Sequence, residues 1–274
     1  MTIGNLKEQE SFKEKYPVFL KYHNALETTA DRFFERDIKS ASKVDRIVFG
    51  LGLSCAEDFQ QAFILCSNGF GIGSLQIVRG MYERQVTAAY LSKYPSEVQD
   101  FIDYHYVHRR KGMIHLREMY GTERAKTIIP PKEQEEIEAS FQLVRNRFTQ
   151  TICETCKTTR PMQSWSKHHT GVLAKKGDQD LAQNYYVNYY QPTLLSHSTV
   201  SSLVSRLVQD EDGTFAFAVD GQRNRVTEGL FNAHSLLLNV FDLQNKHFKL
   251  GLDDEISKRF DEYQECWDHL KRSD

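Results

Sequence analysis

The chain has 274 residues, 40% of them hydrophobic and 26% charged, which excludes a disordered chain, a collagen-like chain and a disulfide scaffold. With 35 Lys plus Arg against 37 Asp plus Glu the formal net charge is -2, so no global basic excess advertises nucleic-acid binding.

Residues 1–10 are polar and mixed in charge, with no apolar stretch behind a basic start, so no secretory signal is expected. Val18, Leu20, Tyr22, Ala25, Leu26, Ala30, Phe33 and Phe34 recur mostly at three and four and predict a helix from Val18 to Phe34, with Pro17 in its first turn. Ser42 is predicted to cap a second helix reaching Cys66, which Asn68-Gly69 stops. This apolar-looking stretch is broken by Glu57, Asp58, Gln60 and Gln61, short of the ~18 apolar residues of a membrane span. The expectation is a soluble, cytoplasmic protein with no membrane contact.

Gly69 to Gly73 reads as a tight interhelical turn. A third helix follows from Ser74 to Lys93, ending before Pro95, and Ser96, Glu97 and Asp100 open a fourth that runs to Met119. Gly121 and Pro130-Pro131 bound a connector. A charged helix spans Lys132 to Arg147, and Phe148 to Lys167 is ambiguous. Short helices are predicted at Gly171–Lys175, Asp178–Tyr190 and Ser198–Gln209, then a turn at Asp210–Gly213. Thr214 to Val219 reads either as a short strand without an obvious partner or as a lone extended loop. Helices from Val226 to His247 and from Asp253 to Lys271 close the chain. No repeat, linker or composition break intervenes. The expected fold is all-α, a multi-helix bundle-like single domain over residues 1–274, with an accessory segment around 121–180 as an option.

Five cysteines, Cys55, Cys66, Cys153, Cys156 and Cys266, form an odd set that argues for reduced thiols. Cys153 and Cys156 form one C-x-x-C. It is either half of a metal or redox site or two cysteines one helical turn apart. His168 and His169 are adjacent in sequence rather than spaced as a zinc finger requires.

Residues out of place point to candidate sites. In the third helix Ile72, Leu75, Arg79, Glu83, Val86 and Tyr90 share an arc of about 80°. A charge beside an apolar stripe is costly unless paired, and Arg79 and Glu83 are spaced to pair with each other. They read either as a structural ion pair or as part of a cleft. On the fourth helix His105, His108, His115 and Glu118 are fair metal-ligand material, though no metal is favoured and no cofactor is implied. Arg110-x4-His115, with Arg109 as a second option, is similar to the R-x4-6-H motif of HEPN-type ribonucleases. There a histidine moves protons and an arginine stabilises phosphate charge. Lys111 stands where those families usually place Asn, Asp or His.

Further on, Trp165-Ser166 precedes tyrosines 185, 186, 189 and 190 and then Ser196-His197. His197 reads as a buried, satisfied histidine or as an acid–base group. The ordered set Leu75-x3-Arg79-x3-Glu83-x6-Tyr90, Tyr104, Trp165-Ser166, Tyr185 to Tyr190 and Ser196-His197 resembles the domain-of-unknown-function 5677 family, uncharacterised bacterial helical proteins. The resemblance covers Ser54 to Leu207. It implies a mostly helical domain in which Arg79, Glu83, Trp165, Tyr186 and His197 converge on one polar-aromatic centre, and it implies no activity.

Two functional readings stand. The first is an interaction or regulatory module binding a protein or small-molecule partner, with homodimerisation through the amphipathic helix 226–247. The second is a metal-independent ribonuclease toxin of stress or phage defence, using Arg110 and His115, or His197, with RNA as its partner.

Overall fold

Ser42 and Asp45 close a reciprocal capping box. The Asp45 amide donates to Ser42 Oγ (3.2 Å) and the Ser42 amide to Asp45 Oδ2 (3.1 Å). From there α3 runs over Lys43–Ser67, the predicted second helix. Two helices precede it. α2 (Pro17–Phe34) starts on the predicted proline. α1 (Leu6–Lys15) is an element the sequence reading passed over, because Phe12 is its only buried residue and one apolar anchor makes no periodicity.

The break after α3 is a Schellman turn. Phe70 N–H reaches Leu65 O (2.9 Å) and Gly69 N–H reaches Cys66 O (3.0 Å), with Gly69 at φ +83°. The expected turn over Gly69 to Gly73 is therefore shorter, because α4 begins at Gly71 and extends over Gly71–Lys93. Gly71 is required there by contact: a Cβ would lie 2.4 Å from the Gln222 carbonyl oxygen.

The computed structural model describes residues 4–39, 41–153, 155–209 and 212–273. Among them are twelve α-helices and two two-stranded antiparallel sheets, so the fold is all-α and bundle-like. The chain divides into two compact units, Met1–Lys93 with Thr170–Asp274, and Tyr94–His169.

The first unit is built on α3, α4 and α11 (Val226–Phe248), with α2 and α12 (Asp253–Ser273) beside them. Val48, Phe59, Leu75, Val78, Met81, Leu91, Leu230, Leu237 and Phe241 fill its interior. The helix expected to pair across a two-fold axis is thus used up inside. α11 packs on α3, α4 and α12, and Leu236, Leu237, Leu238, Val240 and Phe241 are all buried.

Between α4 and α11 the same unit carries short elements: α7 (Thr170–Gly177), α8 (Gln179–Gln183), a π-helical turn at Tyr186–Tyr190, α9 (Gln191–Ser196) and α10 (Val200–Val204). The predicted helix over Asp178–Tyr190 is therefore split. A hairpin follows in which β3 (Leu207–Gln209) pairs with β4 (Phe215–Phe217). The strand expected near 214–219 thus has a partner, taken from the end of the segment read as helix Ser198–Gln209. Asp210 and Glu211 of the expected turn lie outside the described residues. At its other end Asp212 accepts from the Thr214 amide (3.0 Å).

The second unit contains α5 (Val98–Ile128), broken by Gly121 at φ +76°, and α6 (Pro131–Val144). Its ambiguous segment forms a hairpin of β1 (Thr149–Thr151) and β2 (Thr159–Pro161). Tyr104, Val107, Phe141, Val144, Phe148 and Met162 make the core, with Trp165 and Tyr106 against it. Tyr104 donates its hydroxyl to the Met162 carbonyl (2.8 Å), and Arg147 holds Asp100 and Asp103. Cys153 and Cys156 lie in the hairpin loop and not one helical turn apart.

Among the described residues no helix is long and apolar enough to cross a membrane.

Candidate functional site

Helix α4 carries the polar-aromatic centre on one face. Tyr82 and Tyr90 are fully buried, and Arg79 and Glu83 are half-buried. Arg79 Nη2 lies 3.4 Å from Glu83 Oε1, one helical turn away. The guanidinium carbon stands 5.3 Å from the centre of the Tyr189 ring, cation over π face. Arg79 Nε is buried with no hydrogen-bond partner.

The tyrosine run supplies the other wall. Tyr82 packs against Tyr185 (6.4 Å between ring centres) and Tyr189 (6.1 Å), and those two pack on each other (5.1 Å). Tyr82 donates its hydroxyl to the Leu181 carbonyl (2.6 Å), and burial raises its pKa above the usual phenol range.

The backbone here is a π-helical turn for a local reason. Pro192 has no N–H to return to the preceding turn, and the Gln191 amide reaches back five residues to Tyr186 O. Thr193 then closes on the Tyr189 carbonyl with its hydroxyl (2.6 Å). The widened turn buries Asn188, whose Oδ1 has no hydrogen-bond partner.

The residues expected to converge divide as follows. Arg79 and Glu83 pair as their spacing predicts, and Tyr90 is buried on the same helix. Tyr186 points outward, stacked on Tyr190 (5.7 Å, 30°) and 59% exposed. The inward tyrosines are Tyr185 and Tyr189. His197 is exposed rather than buried, because it is the C-cap of α9, where the chain turns to the Thr199 cap of α10. Trp165 belongs to the second unit and meets Phe101 edge to face (5.4 Å, 88°). At about 100° per residue, 185 and 189 share one face and 186 and 190 another, and spacing alone does not say which of the two turns in.

In the second unit Arg110 Nε bonds Glu138 Oε2 (2.8 Å), and its guanidinium lies 4.3 Å from the Phe141 ring centre. His115 is exposed, with Nδ1 3.4 Å from Glu118 Oε2. Arg109 bonds Glu133 (2.8 Å), and Arg109, His115 and Glu133 line one cleft of about 470 Å³ with Met119 and Tyr120. His108 stands edge-on to Tyr104 (4.6 Å), and burial, then the charge of Lys111, lowers its pKa. Among the described residues no three His, Cys, Asp or Glu side chains are grouped to hold a metal ion, so His105, His108, His115 and Glu118 are not brought together as ligands.

Two buried polar features have no counterpart in the sequence reading. Asp58 of α3 pairs with Arg84 of α4. His234 of α11 is enclosed by Phe19, Phe59, Tyr263 and Trp267, and neither ring nitrogen has a hydrogen-bond partner. A lone histidine inside an apolar helical repeat gives no sign of its depth.

No curated protein and no solved structure matches the chain. A family model does, over residues 45–215, from within α3 to the start of β4, with the Arg79–Glu83 face and the tyrosine turn inside the matched span. The chain belongs to that family, the family of unknown function DUF5677.

Proposed function

We propose that the protein is an interaction module that associates with a second copy of itself through α10 and the β3–β4 hairpin. The observation that carries this is the apolar surface at that face. Val200, Leu203 and Val204 of α10 are exposed, and so are Leu207, Val208, Phe215, Phe217 and Val219. Monomeric proteins rarely expose a large apolar patch without a use for it, and the register puts Leu207, Phe215 and Phe217 on one side of the ribbon. A two-stranded ribbon is also marginal alone, and every residue of both strands is solvent-exposed. Its free edges offer unpaired backbone groups to another strand. A two-fold axis through this face would pack the phenylalanines of one copy against those of the other, and one beside the hairpin would extend it to four strands. In this reading the Arg79–Glu83–Tyr189 centre is structural and has no chemistry of its own.

The test is sedimentation velocity of the full chain across a concentration series, beside the double variant Phe215→Glu, Phe217→Glu. The expected result is a dimer in the wild type and a monomer with unchanged circular dichroism in the variant. A wild type that stays monomeric at ~100 μM, on the weak side of specific association, overturns the proposal. So does a dimer indifferent to the two substitutions.

The ribonuclease reading keeps one supporting observation, the shared cleft of Arg109 and His115. Its arginine would be Arg109, which lines that cleft beside His115, while ion pairs hold both Arg109 (to Glu133) and Arg110 (to Glu138). Cleavage of total RNA by the wild type, lost in a folded His115→Ala variant, is the result it requires.

A further inference from the structure

The β1–β2 hairpin of the second unit carries the cysteine pair in a closed loop. The Ile152 amide donates to the Thr158 carbonyl (2.9 Å), one step inside the Thr151–Thr159 pair, so both cysteines are held between fixed strands. Within the loop the Cys156 amide points at Cys153 Sγ (3.4 Å), which sets the first sulfur over the backbone of the second cysteine. Lys157 takes left-handed φ (+55°) and returns the chain so that Thr158 Oγ1 lies 2.8 Å from Cys156 Sγ. Cys156 is exposed and Cys153 half-buried, whereas Cys55, Cys66 and Cys266 are buried.

We propose that Cys153 and Cys156 form a dithiol–disulfide exchange site for low-molecular-weight disulfides of the glutathione type. Cys156 is the attacking residue and Cys153 the resolving one. The chemistry of the loop assigns the roles. A thiolate is the nucleophile, and a hydroxyl donor at hydrogen-bond distance stabilises it. The Thr158 hydroxyl, then the Cys153 contact, lowers the Cys156 pKa to about 7. Burial instead pushes Cys66 and Cys266 up to about 12. A zinc site wants about four ligands, and among the described residues no third one joins these two sulfurs.

The reaction balances in two displacements. The Cys156 thiolate, its proton already in solvent, attacks one sulfur of RSSR. A Cys156–S–S–R bond forms as the RS–SR bond breaks, and RS⁻ leaves with the electron pair. Cys153 then gives its proton to solvent and attacks Cys156 sulfur. The Cys153–Cys156 bond forms and the second RS⁻ departs. The dithiol has lost two electrons and two protons, and two RSH are formed from RSSR.

The reduced full-length protein is mixed with oxidised glutathione and followed by intact mass and peptide mapping. The wild type should lose two hydrogens, with a Cys153–Cys156 link and no lasting adduct. Cys153→Ser should hold one glutathione on Cys156, and Cys156→Ser should react about tenfold more slowly. Thr158→Val should slow the reaction at pH 7 but not at pH 9, which a merely structural threonine would not do. A lasting adduct on the wild type, equal rates for both cysteine variants, or tight uptake of one zinc per chain from zinc chloride with both thiols protected would each overturn the proposal.

Discussion

Arg79 and Glu83 meet across one helical turn with side chains 28% and 42% exposed. An ion pair so placed is worth only about 0.3–0.5 kcal/mol after screening and side-chain ordering. The ring beneath the arginine matters more, because Tyr189 also fills the space beside Tyr82 and Tyr185. Glu83→Gln should therefore cost under about 0.5 kcal/mol and Tyr189→Ala about 2 kcal/mol or more, from lost packing and cation–π contact. Urea midpoints of the two variants check this, and the reverse order would make the centre electrostatic. Spacing made the pair legible, because i and i+4 on a helix fixes proximity whatever surrounds it. The resemblance implies Tyr186 at the centre, but the run is aromatic on two faces, and the π-helical turn decides which face turns in. His197, open in sequence to a buried or an acid–base reading, stands exposed at the C-cap of α9 between Ser196 and Ser198.

At the scale of elements, periodicity found the long helices and failed on the short pieces. β1 and β2 are Thr-Gln-Thr and Thr-Arg-Pro, which have no apolar alternation to read. Only Ser205-Arg206 separates β3 from α10, too short a break to mark a new element, so its pairing with β4 is visible only in three dimensions. Glycine shows the same divide between local and tertiary causes. Gly50, inside α3, has nothing within 4 Å of its would-be Cβ, so only helix propensity acts there. Gly50→Ala should stabilise by about 0.5–1 kcal/mol. Gly71 also lies in a helix, but its Cβ would meet the backbone of Gln222 and Arg225 at 2.4 and 2.7 Å. Backbone cannot swing aside as a side chain can, so Gly71→Ala should cost about 1–3 kcal/mol. Identical substitutions with effects of opposite sign, measured by thermal melting, would separate propensity from packing. A Gly71→Ala variant as stable as wild type would show that the start of α4 is loosely held.

For the whole molecule the helical class was legible because most of the chain repeats at three and four. The unit boundaries at 93/94 and 169/170 have no compositional mark, since charged and apolar residues run through them unchanged. Nor does sequence show how stability depends on pH, which turns on depth. His234 is fully enclosed, and burial, then the nearby His23, lowers its pKa from 6.5 to about 3. The unfolded chain takes up this proton near pH 6.5 and the folded chain only near pH 3. Between those values the unfolded state holds more protons, so stability falls as pH falls. For one such histidine the loss between pH 7 and pH 5 is about 2 kcal/mol. Asp58 and Glu262, whose carboxyls burial raises, act in the opposite sense in the acid range, so the total slope mixes several groups. The difference between wild type and His234→Phe isolates one of them, because phenylalanine keeps the ring against Phe19 and Tyr263 without a titrating nitrogen. Trp267 lies 6.2 Å from the histidine ring and reports the unfolding of its own unit once Trp165 is replaced by phenylalanine. In that background the variant should gain about 2 kcal/mol on wild type as pH drops from 7 to 5. Parallel curves would mean that His234 takes up its proton in the folded state, with water reaching a ring that is now closed in on every side.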